Sequence, residues 1–200
     1  MKKPILLILI VVLCPPLAGI YGILHDQFTY TISPEYYTKF KFYQFELADD
    51  SNSGEAIFQN PRLAVAAVGF MATWWTGILI GLGIGLTGLF QPNAKTMLKS
   101  SIKGIAIAIS LAATAGLIGL AYGSLYLADT GVSWWLPPNL IDKKNFITVG
   151  SMHNFSYWGA VIGLIGGIVY QIITARKNNP DFKSILSGAI YFGLKRKPRA

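Results

Sequence analysis

One uninterrupted apolar run decides the fold of this chain: residues 63–90 read LAVAAVGFMATWWTGILIGLGIGLTGLF. The run contains no Lys, Arg, Asp or Glu, and it exceeds the length of about 20 residues that an α-helix needs to cross the hydrocarbon core of a bilayer. Three more runs without those residues occupy 5–24, 104–128 and 146–175. Because lipid offers the backbone no hydrogen-bond partners, all four runs are predicted to be helices. The sequence therefore predicts an all-α integral membrane protein, a single membrane domain (1–200) built as a four-transmembrane-helix bundle.

The composition of the 200-residue chain favours a membrane protein and excludes several other classes. Hydrophobic residues make up 52% of the chain and charged residues 13%, whereas a soluble domain has about 25% charged residues. A disordered protein, a coiled coil and a disulfide scaffold are excluded, because the chain lacks polarity, heptads and a second cysteine. The net charge of +8 lies at the ends of the apolar runs and not on one basic face, so nucleic acid is not expected as a partner.

The basic residues predict the orientation of the bundle in the bilayer. Positive charges near the ends of spans favour the cytoplasmic side. If both termini and the 91–103 loop are cytoplasmic, that side holds 12 of the 17 Lys and Arg residues and a single acid, Asp181. The opposite side then holds five basic and eight acidic residues. We therefore predict a multi-pass protein with both termini in the cytoplasm.

The first run has a second interpretation, because Lys2 and Lys3 precede it as they would in a secretory signal peptide. The apolar core of a signal peptide is usually about 7–15 residues long. This run continues through Ile20 to Leu24. We therefore expect an uncleaved membrane anchor.

Two segments outside the spans have recognisable patterns. Residues 25–61 form a predicted outer lid, in which the alternation at 28–32 is typical of a short strand. Ser33-Pro34-Glu35 is typical of a helix start, and the aromatic 39–47 segment fits either a strand or a helix on the membrane surface. The tail, 176–200, is predicted to form a cytoplasmic amphipathic helix whose basic end binds anionic lipid headgroups, with a solvated basic end as the alternative.

Glycine recurs every fourth residue in three of the spans, as in a glycine zipper. Residues four apart share one face of a helix, and glycine lets a second backbone approach closely, which is how helices pack in membranes. We interpret these strips as contacts within the bundle, with contacts to a second copy or to another membrane subunit as the alternative. The glycines are Gly77, Gly81 and Gly85, then Gly119 and Gly123, and finally Gly159, Gly163 and Gly167.

Polar and ionisable residues concentrate towards the outer ends of the first and fourth spans. Such residues are functional candidates in a membrane, because their burial is costly. The chain has two histidines, and we expect both imidazoles to share one pocket near the outer leaflet. The cytoplasmic halves of the spans carry no comparable set. The members of this predicted polar cluster are His25, Asp26, Gln27, Glu35, Tyr36, Ser151, His153, Asn154 and Tyr157.

Three interpretations of the predicted polar cluster stay open. In the structural one, Asp26 or Glu35 binds His153 and attaches the lid to the bundle. In the second, His25 and His153 ligate haem b or a metal ion. Against a zinc enzyme, no zinc-binding spacing occurs, and neighbours such as His25 and Asp26 point about 100° apart on a helix. The third pairs His153 with a serine nucleophile, Ser151 or Ser156.

Four motifs resemble a group of uncharacterised bacterial integral membrane proteins. They are His25-Asp26-Gln27, Pro34-Glu35-Tyr36-Tyr37-Thr38, Ala72-Thr73-Trp74-Trp75 and His153-Asn154-x-Ser156-Tyr157. The motifs lie in the outer segment and in three of the four spans, and Tyr37 departs mildly from the phenylalanine that is more common in that group. The resemblance implies the inner (cytoplasmic) membrane of a bacterium, and it implies no activity or cofactor.

The sequence therefore predicts a membrane module whose outer polar cluster joins the lid to the bundle and binds a partner or a small ligand. The alternative is a haem- or metal-binding redox protein that uses His25 and His153.

Overall fold

Four long helices make up most of the chain. The structure, a computed structural model, describes residues 2–49, 54–178 and 182, and no strand occurs among them. The long helices are α1 (Lys3–Ile32), α3 (Pro61–Gly88), α4 (Ala94–Tyr122) and α6 (Lys143–Asn178). Two short helices, α2 (Phe42–Gln44) and α5 (Ala128–Thr130), each follow a π-helical turn, Tyr37–Lys41 and Gly123–Leu127 respectively.

All four predicted spans are confirmed as helices that are long and apolar enough to cross a membrane. The second predicted span extends two residues beyond α3, which ends at Gly88, and the other three lie within the observed helices. The third helix is continuous from Ala94 to Thr130, through α4, the π-helical turn and α5. The protein is thus an all-α four-helix bundle.

The ends of the helices follow from local chemistry. Pro61 is the first residue of α3, where the missing N–H of proline removes no helical hydrogen bond. Asn93 caps α4, because its side-chain oxygen accepts a hydrogen bond from the Thr96 N–H at 3.0 Å. Gly131 follows α5 with a φ of 83°, a conformation that favours glycine and ends the helix.

The strand predicted at residues 28–32 is wrong, because helix α1 continues through them to Ile32. Five alternating residues are too few to separate the two periodicities. The hydroxyls of Thr29 and Thr31 donate to the carbonyls of His25 and Gln27, one helical turn earlier. The predicted helix start at Ser33-Pro34-Glu35 is confirmed in position, but the Ser33 hydroxyl does not cap the helix, since it makes no hydrogen bond. The open question at 39–47 is decided for helical turns, which run through Gln44.

The bundle consists of two antiparallel helical hairpins. Helix α1 packs chiefly on α3, and α4 packs chiefly on α6. The connection between α1 and α3 covers one end of the bundle with its described residues, 33–49 and 54–60. It is shorter than the predicted lid of 25–61, because residues 25–32 belong to α1. We call this connection the lid and that end the lid end. An aromatic and aliphatic core under the lid includes Tyr37, Phe42 and Phe146.

Glycines lie where the paired helices approach most closely. A Cβ at Gly77 would overlap backbone atoms of Cys14 and Pro15 in α1, and a Cβ at Gly163 would overlap the backbone of Ala108 in α4. The glycine strips therefore serve packing inside the bundle. A Cβ would also lie within 4 Å of a neighbouring helix at Gly81, Gly85, Gly119, Gly123, Gly159 and Gly167.

A buried amide pair connects the helices at the end opposite the lid. Gln91 Nε2 donates to Gln171 Oε1 at 3.0 Å, and Gln171 Nε2 donates to Ser101 Oγ at 3.0 Å. Both glutamine side chains are fully buried. Of these three residues only Gln171 lies within a predicted span, and the set was not predictable because its members come from distant positions that share no local pattern.

The predicted amphipathic helix of the tail lies outside the described residues, apart from the end of α6 and Phe182. The ring of Phe182 packs against the ring of Phe90, with 5.8 Å between centroids.

Gly77→Ala is expected to lower the free energy of unfolding by roughly 1–3 kcal/mol, because the added methyl group overlaps the backbone of α1. Gly166→Ala is the matched control. It brings the same gain in helix propensity, but its nearest neighbour is a side-chain methyl group of Ile107 at 3.4 Å. Unfolding of both variants by SDS in detergent micelles measures the difference. Equal stability of the two variants would contradict close packing at Gly77.

Candidate functional site

Two histidines and one aspartate meet inside the bundle. His25 and Asp26 lie on the last turns of α1, and His153 lies on α6. Asp26 Oδ1 is 3.2 Å from His25 Nδ1 and 3.2 Å from His153 Nε2. The two imidazole rings meet edge to face, with 4.6 Å between centroids. The prediction that both imidazoles share one pocket is confirmed, and we call these three side chains the His–Asp–His cluster.

The second nitrogen of each imidazole has its own partner outside the cluster. His153 Nδ1 lies 2.9 Å from the carbonyl oxygen of Val149. Since a carbonyl oxygen only accepts hydrogen bonds, His153 Nδ1 carries a proton. His25 Nε2 lies 3.2 Å from Ser156 Oγ. The remaining nitrogens, His25 Nδ1 and His153 Nε2, therefore both face the same oxygen, Asp26 Oδ1.

The short contact between His153 and Asp26 requires a proton or a metal ion between the two atoms. A neutral imidazole that is protonated at Nδ1 presents a lone pair at Nε2, and a carboxylate oxygen is also an acceptor. Two facing acceptors attract each other only when a proton or a metal ion lies between them. The other carboxylate oxygen, Asp26 Oδ2, is buried and makes no hydrogen bond, so the carboxylate keeps free capacity to bind a cation.

A small cavity of about 60 Å³ adjoins the His–Asp–His cluster. Tyr21, Ser156 and Tyr157 contribute to its wall, together with small residues of α3 and α4. A water molecule occupies roughly 10–15 Å³ on this scale. The small cavity therefore has space for a few water molecules or a small ligand beside the cluster.

The expectation that His25 and Asp26 point too far apart to act together is wrong. Their Cα–Cβ bonds diverge along the helix, but rotation about the side-chain bonds of each residue brings His25 Nδ1 to 3.2 Å from Asp26 Oδ1. Backbone direction alone does not exclude joint ligation by neighbouring residues.

Several residues of the predicted polar cluster lie elsewhere. Gln27 accepts a hydrogen bond from Arg62 Nη1 at 3.0 Å on the surface. Asn154 is exposed, and the buried hydroxyl of Ser151 makes no hydrogen bond. Ser156, which was considered as a nucleophile beside His153, contacts His25 instead.

Tyrosines link the lid to the His–Asp–His cluster, whereas Asp26 and His153 join α1 to α6. The ring of Tyr36 lies 4.9 Å from the ring of His153, between centroids. Tyr37 shares a hydrogen bond of 2.6 Å with Thr29 of α1. Burial raises the pKa of both lid tyrosines, and the charge of Asp26 adds to that effect. Both phenols therefore stay neutral.

Tyr157 of α6 donates a hydrogen bond to the carbonyl of Ala72 at 3.2 Å and lines the small cavity.

Glu35 attaches the lid to the 131–142 loop and does not contact His153, contrary to one interpretation of the sequence. Its carboxylate accepts hydrogen bonds from the N–H groups of Ile141, at 3.0 Å, and Asp142, at 2.6 Å. Lys39 also binds this carboxylate. Burial opposes ionisation, but the hydrogen bonds from Ile141, Lys39 and Asp142 outweigh it and lower the pKa of Glu35.

A larger cavity of about 520 Å³ lies between the lid, α3, α6 and the 131–142 loop. Eight of its fifteen lining residues are Phe, Tyr or Trp. Ala72, His153 and Tyr157 line both cavities, so the larger cavity adjoins the His–Asp–His cluster. Lys41 contributes the ammonium group of this cavity. Sequence reasoning missed this role, because a lysine among alternating aromatic residues looks like a solvated position.

A search against protein-family models, curated proteins and solved structures found no match for this chain. The function is therefore inferred from the geometry of the side chains described above.

Glu35→Gln is expected to loosen the lid at neutral pH, because an amide loses the ion pair with Lys39 and one of the two acceptor oxygens. The pKa of Glu35 is lowered in the folded protein. Its contribution to stability is therefore complete above the ordinary carboxyl pKa of about 4.3 and is lost as the pH falls through the lowered value.

Hydrogen exchange of residues 35–48, measured from neutral to acidic pH, tests this expectation. Wild type should exchange more slowly than Glu35→Gln at neutral pH, and the difference should vanish in acid. Glu46→Gln, which changes an exposed lid carboxylate, should match wild type throughout. A difference between wild type and Glu35→Gln that does not change with pH would show that the ionised carboxylate is not responsible.

Proposed function

We propose that the protein is a membrane metal-binding protein that holds a first-row divalent cation, such as Zn²⁺, at His25, Asp26 and His153. One observation carries this proposal: one nitrogen of each imidazole is held by an outer partner, while the other is directed at the same buried carboxylate oxygen. The ligand atoms of the three residues lie within 4.8 Å of one another.

Two of the three spacings between these atoms suit a single ion, and the third, between the two imidazole nitrogens, is within 4.8 Å. Nitrogen and oxygen ligands bind Zn²⁺ at about 2.0–2.2 Å, so two ligands of one ion lie roughly 3.0–3.5 Å apart. Both distances from Asp26 Oδ1 to the imidazole nitrogens are 3.2 Å. Two imidazoles and one carboxylate are also the ligand set of many zinc and non-haem iron sites that keep an open coordination position. The small cavity supplies the space for that position.

The partners outside the cluster support the same proposal. Ligating histidines generally donate their other ring N–H to a carbonyl or another polar group, which selects the tautomer and orients the ring. The Val149 carbonyl does this for His153, and the Ser156 hydroxyl binds the corresponding nitrogen of His25.

Haem ligation by His25 and His153 does not fit this geometry. A haem with two axial imidazoles lies between the rings. Here the two rings are in edge-to-face contact, with 4.6 Å between centroids, and no porphyrin plane fits between them. The remaining competitor is a structural one, in which a shared proton alone joins His153 to Asp26.

The distribution of charged residues supports the membrane orientation that we propose, with the lid end outside and both termini in the cytoplasm. The four motifs support membership of the bacterial group that they resemble, and hence a bacterial inner membrane. We also propose that the basic tail contacts anionic headgroups. The chain would in addition associate with a second copy or with another membrane subunit.

A cysteine at Lys144, near the lid end, should react with a membrane-impermeant maleimide in intact cells, whereas a cysteine at Lys95 should react only after the membrane is opened. Both positions are exposed, and the native Cys14 is buried and gives little background. The reverse labelling pattern would contradict the proposed orientation.

Metal binding is tested on the purified full chain in detergent after removal of metal with a chelator. Calorimetry should detect one Zn²⁺ per chain, and Co²⁺ should give the visible absorption of a nitrogen- and oxygen-coordinated ion. Asp26→Asn and His153→Gln should each weaken Zn²⁺ binding by about 100-fold or more. Ser156→Ala, which removes only an outer partner, should weaken it by about 10-fold to 100-fold.

Glu46→Gln serves as the matched control, because it removes an exposed lid carboxylate that lies outside the cluster. It should bind Zn²⁺ like wild type. Size-exclusion chromatography and thermal unfolding without metal show whether each variant is folded. Wild-type protein that binds Zn²⁺ no better than Asp26→Asn would exclude the metal site and leave the shared proton as the role of the cluster.

A further inference from the structure

Lys41 is a buried cation that has no acidic partner within ion-pair distance in the described part of the chain. The residue is 7% exposed, and its Nζ donates to Gln44 Oε1 at 2.9 Å. Three aromatic rings surround the ammonium group, with their centroids 5.3–5.7 Å from Nζ: Tyr36, Phe40 and Phe45. The amide and the ring faces stabilise the charge only in part.

Burial without a counter-ion has an electrostatic consequence. Removal of an ammonium group from water disfavours its charged form, and burial accordingly lowers the pKa of Lys41, although the charge of Asp26 acts in the opposite direction. An anion beside Nζ would stabilise the ammonium form. The position is therefore one where an anionic group is favoured.

The larger cavity, which Lys41 lines, has the size and the walls of a small-molecule site. Its volume of about 520 Å³ lies within the range of roughly 300–1,000 Å³ for ligand pockets, which are mostly aromatic with a few polar groups. Trp75, Trp134 and Trp135 supply flat indole surfaces. None of the described lining residues is acidic, so the ammonium group of Lys41 is free to pair with an anion in this cavity.

We propose that the larger cavity binds a small organic anion with a planar aromatic ring, whose carboxylate or phenolate pairs with Lys41 while its ring packs among the tryptophans. A metal at the His–Asp–His cluster is not required, because the charge and the ring surfaces belong to other residues. His153 and Tyr157 line both cavities, and a ligand in the larger cavity would therefore lie beside the open position of the proposed metal site.

The test uses 1-naphthoate as the anionic probe and 1-naphthalenemethanol as its neutral analogue. Equilibrium dialysis of the full chain, in nanodiscs of zwitterionic lipid and in the presence of a chelator, measures both affinities without metal. Wild type should bind the anion at least about tenfold more tightly than the alcohol. Lys41→Met should remove this preference and leave the affinity for the alcohol unchanged, whereas Lys41→Arg should retain the preference.

Two further variants separate the cavity from the membrane surface. Lys144→Met removes an exposed lysine at the same end of the bundle and should bind both probes like wild type. Gly150→Leu should weaken binding of both probes, because a Cβ at Gly150 fits at 3.5 Å from the Tyr36 ring and the longer side chain fills the cavity.

Equal affinity of wild type and Lys41→Met for 1-naphthoate would overturn the proposal. The proposal would also be overturned if wild type lost 1-naphthoate binding in nanodiscs that contain anionic phospholipid, because a lipid headgroup would then occupy the larger cavity. The two proposals are tested independently, because the probe-binding experiment is done with chelator. If 1-naphthoate does not bind, the proposed metal site is not contradicted. If Zn²⁺ does not bind, the proposed anion site is not contradicted.

Discussion

The carboxylate of Asp26 is buried inside a bundle of helices that are apolar enough to cross a membrane, and its burial constrains the rest of the structure. An isolated charge in such surroundings is strongly destabilised unless a partner of opposite charge or a cation accompanies it. The imidazoles of His25 and His153 supply that partnership from α1 and α6. The cluster thereby links one helical hairpin to the other, together with the hydrogen bond from Tyr157 of α6 to the Ala72 carbonyl of α3.

Glycines allow close packing within each hairpin and between the two hairpins. Gly77 and Gly163 let the paired backbones approach closely, and Gly167 of α6 lies against Ile84 of α3 in the other hairpin. The two ends of the bundle then differ in chemistry. The lid end contains ionisable groups, whereas at the opposite end the uncharged amide of Gln91 donates to Gln171 and the amide of Gln171 donates to Ser101.

The His–Asp–His cluster is a candidate site because the lid packs over it and forms one wall of a cavity beside it. Tyr36 covers His153, and Glu35 holds the lid against the 131–142 loop. The space left between these elements is the larger cavity, which carries a cation at Lys41 and adjoins the cluster through His153. The proposed metal ligand His153 and the ammonium group of Lys41 thus line the same cavity.

The four helices were predictable from the sequence, because hydrophobic length is a local property. His25, Asp26 and His153 were conspicuous as ionisable residues within an apolar run or directly after one. It did not separate strand from helix at 28–32, since five alternating residues fit both. It also placed Gln27 and Glu35 in a cluster to which they do not belong. Only the tertiary structure decided which side chains meet. Asp26 and His153 are 127 residues apart, and their contact depends on the packing of two hairpins that no local pattern encodes.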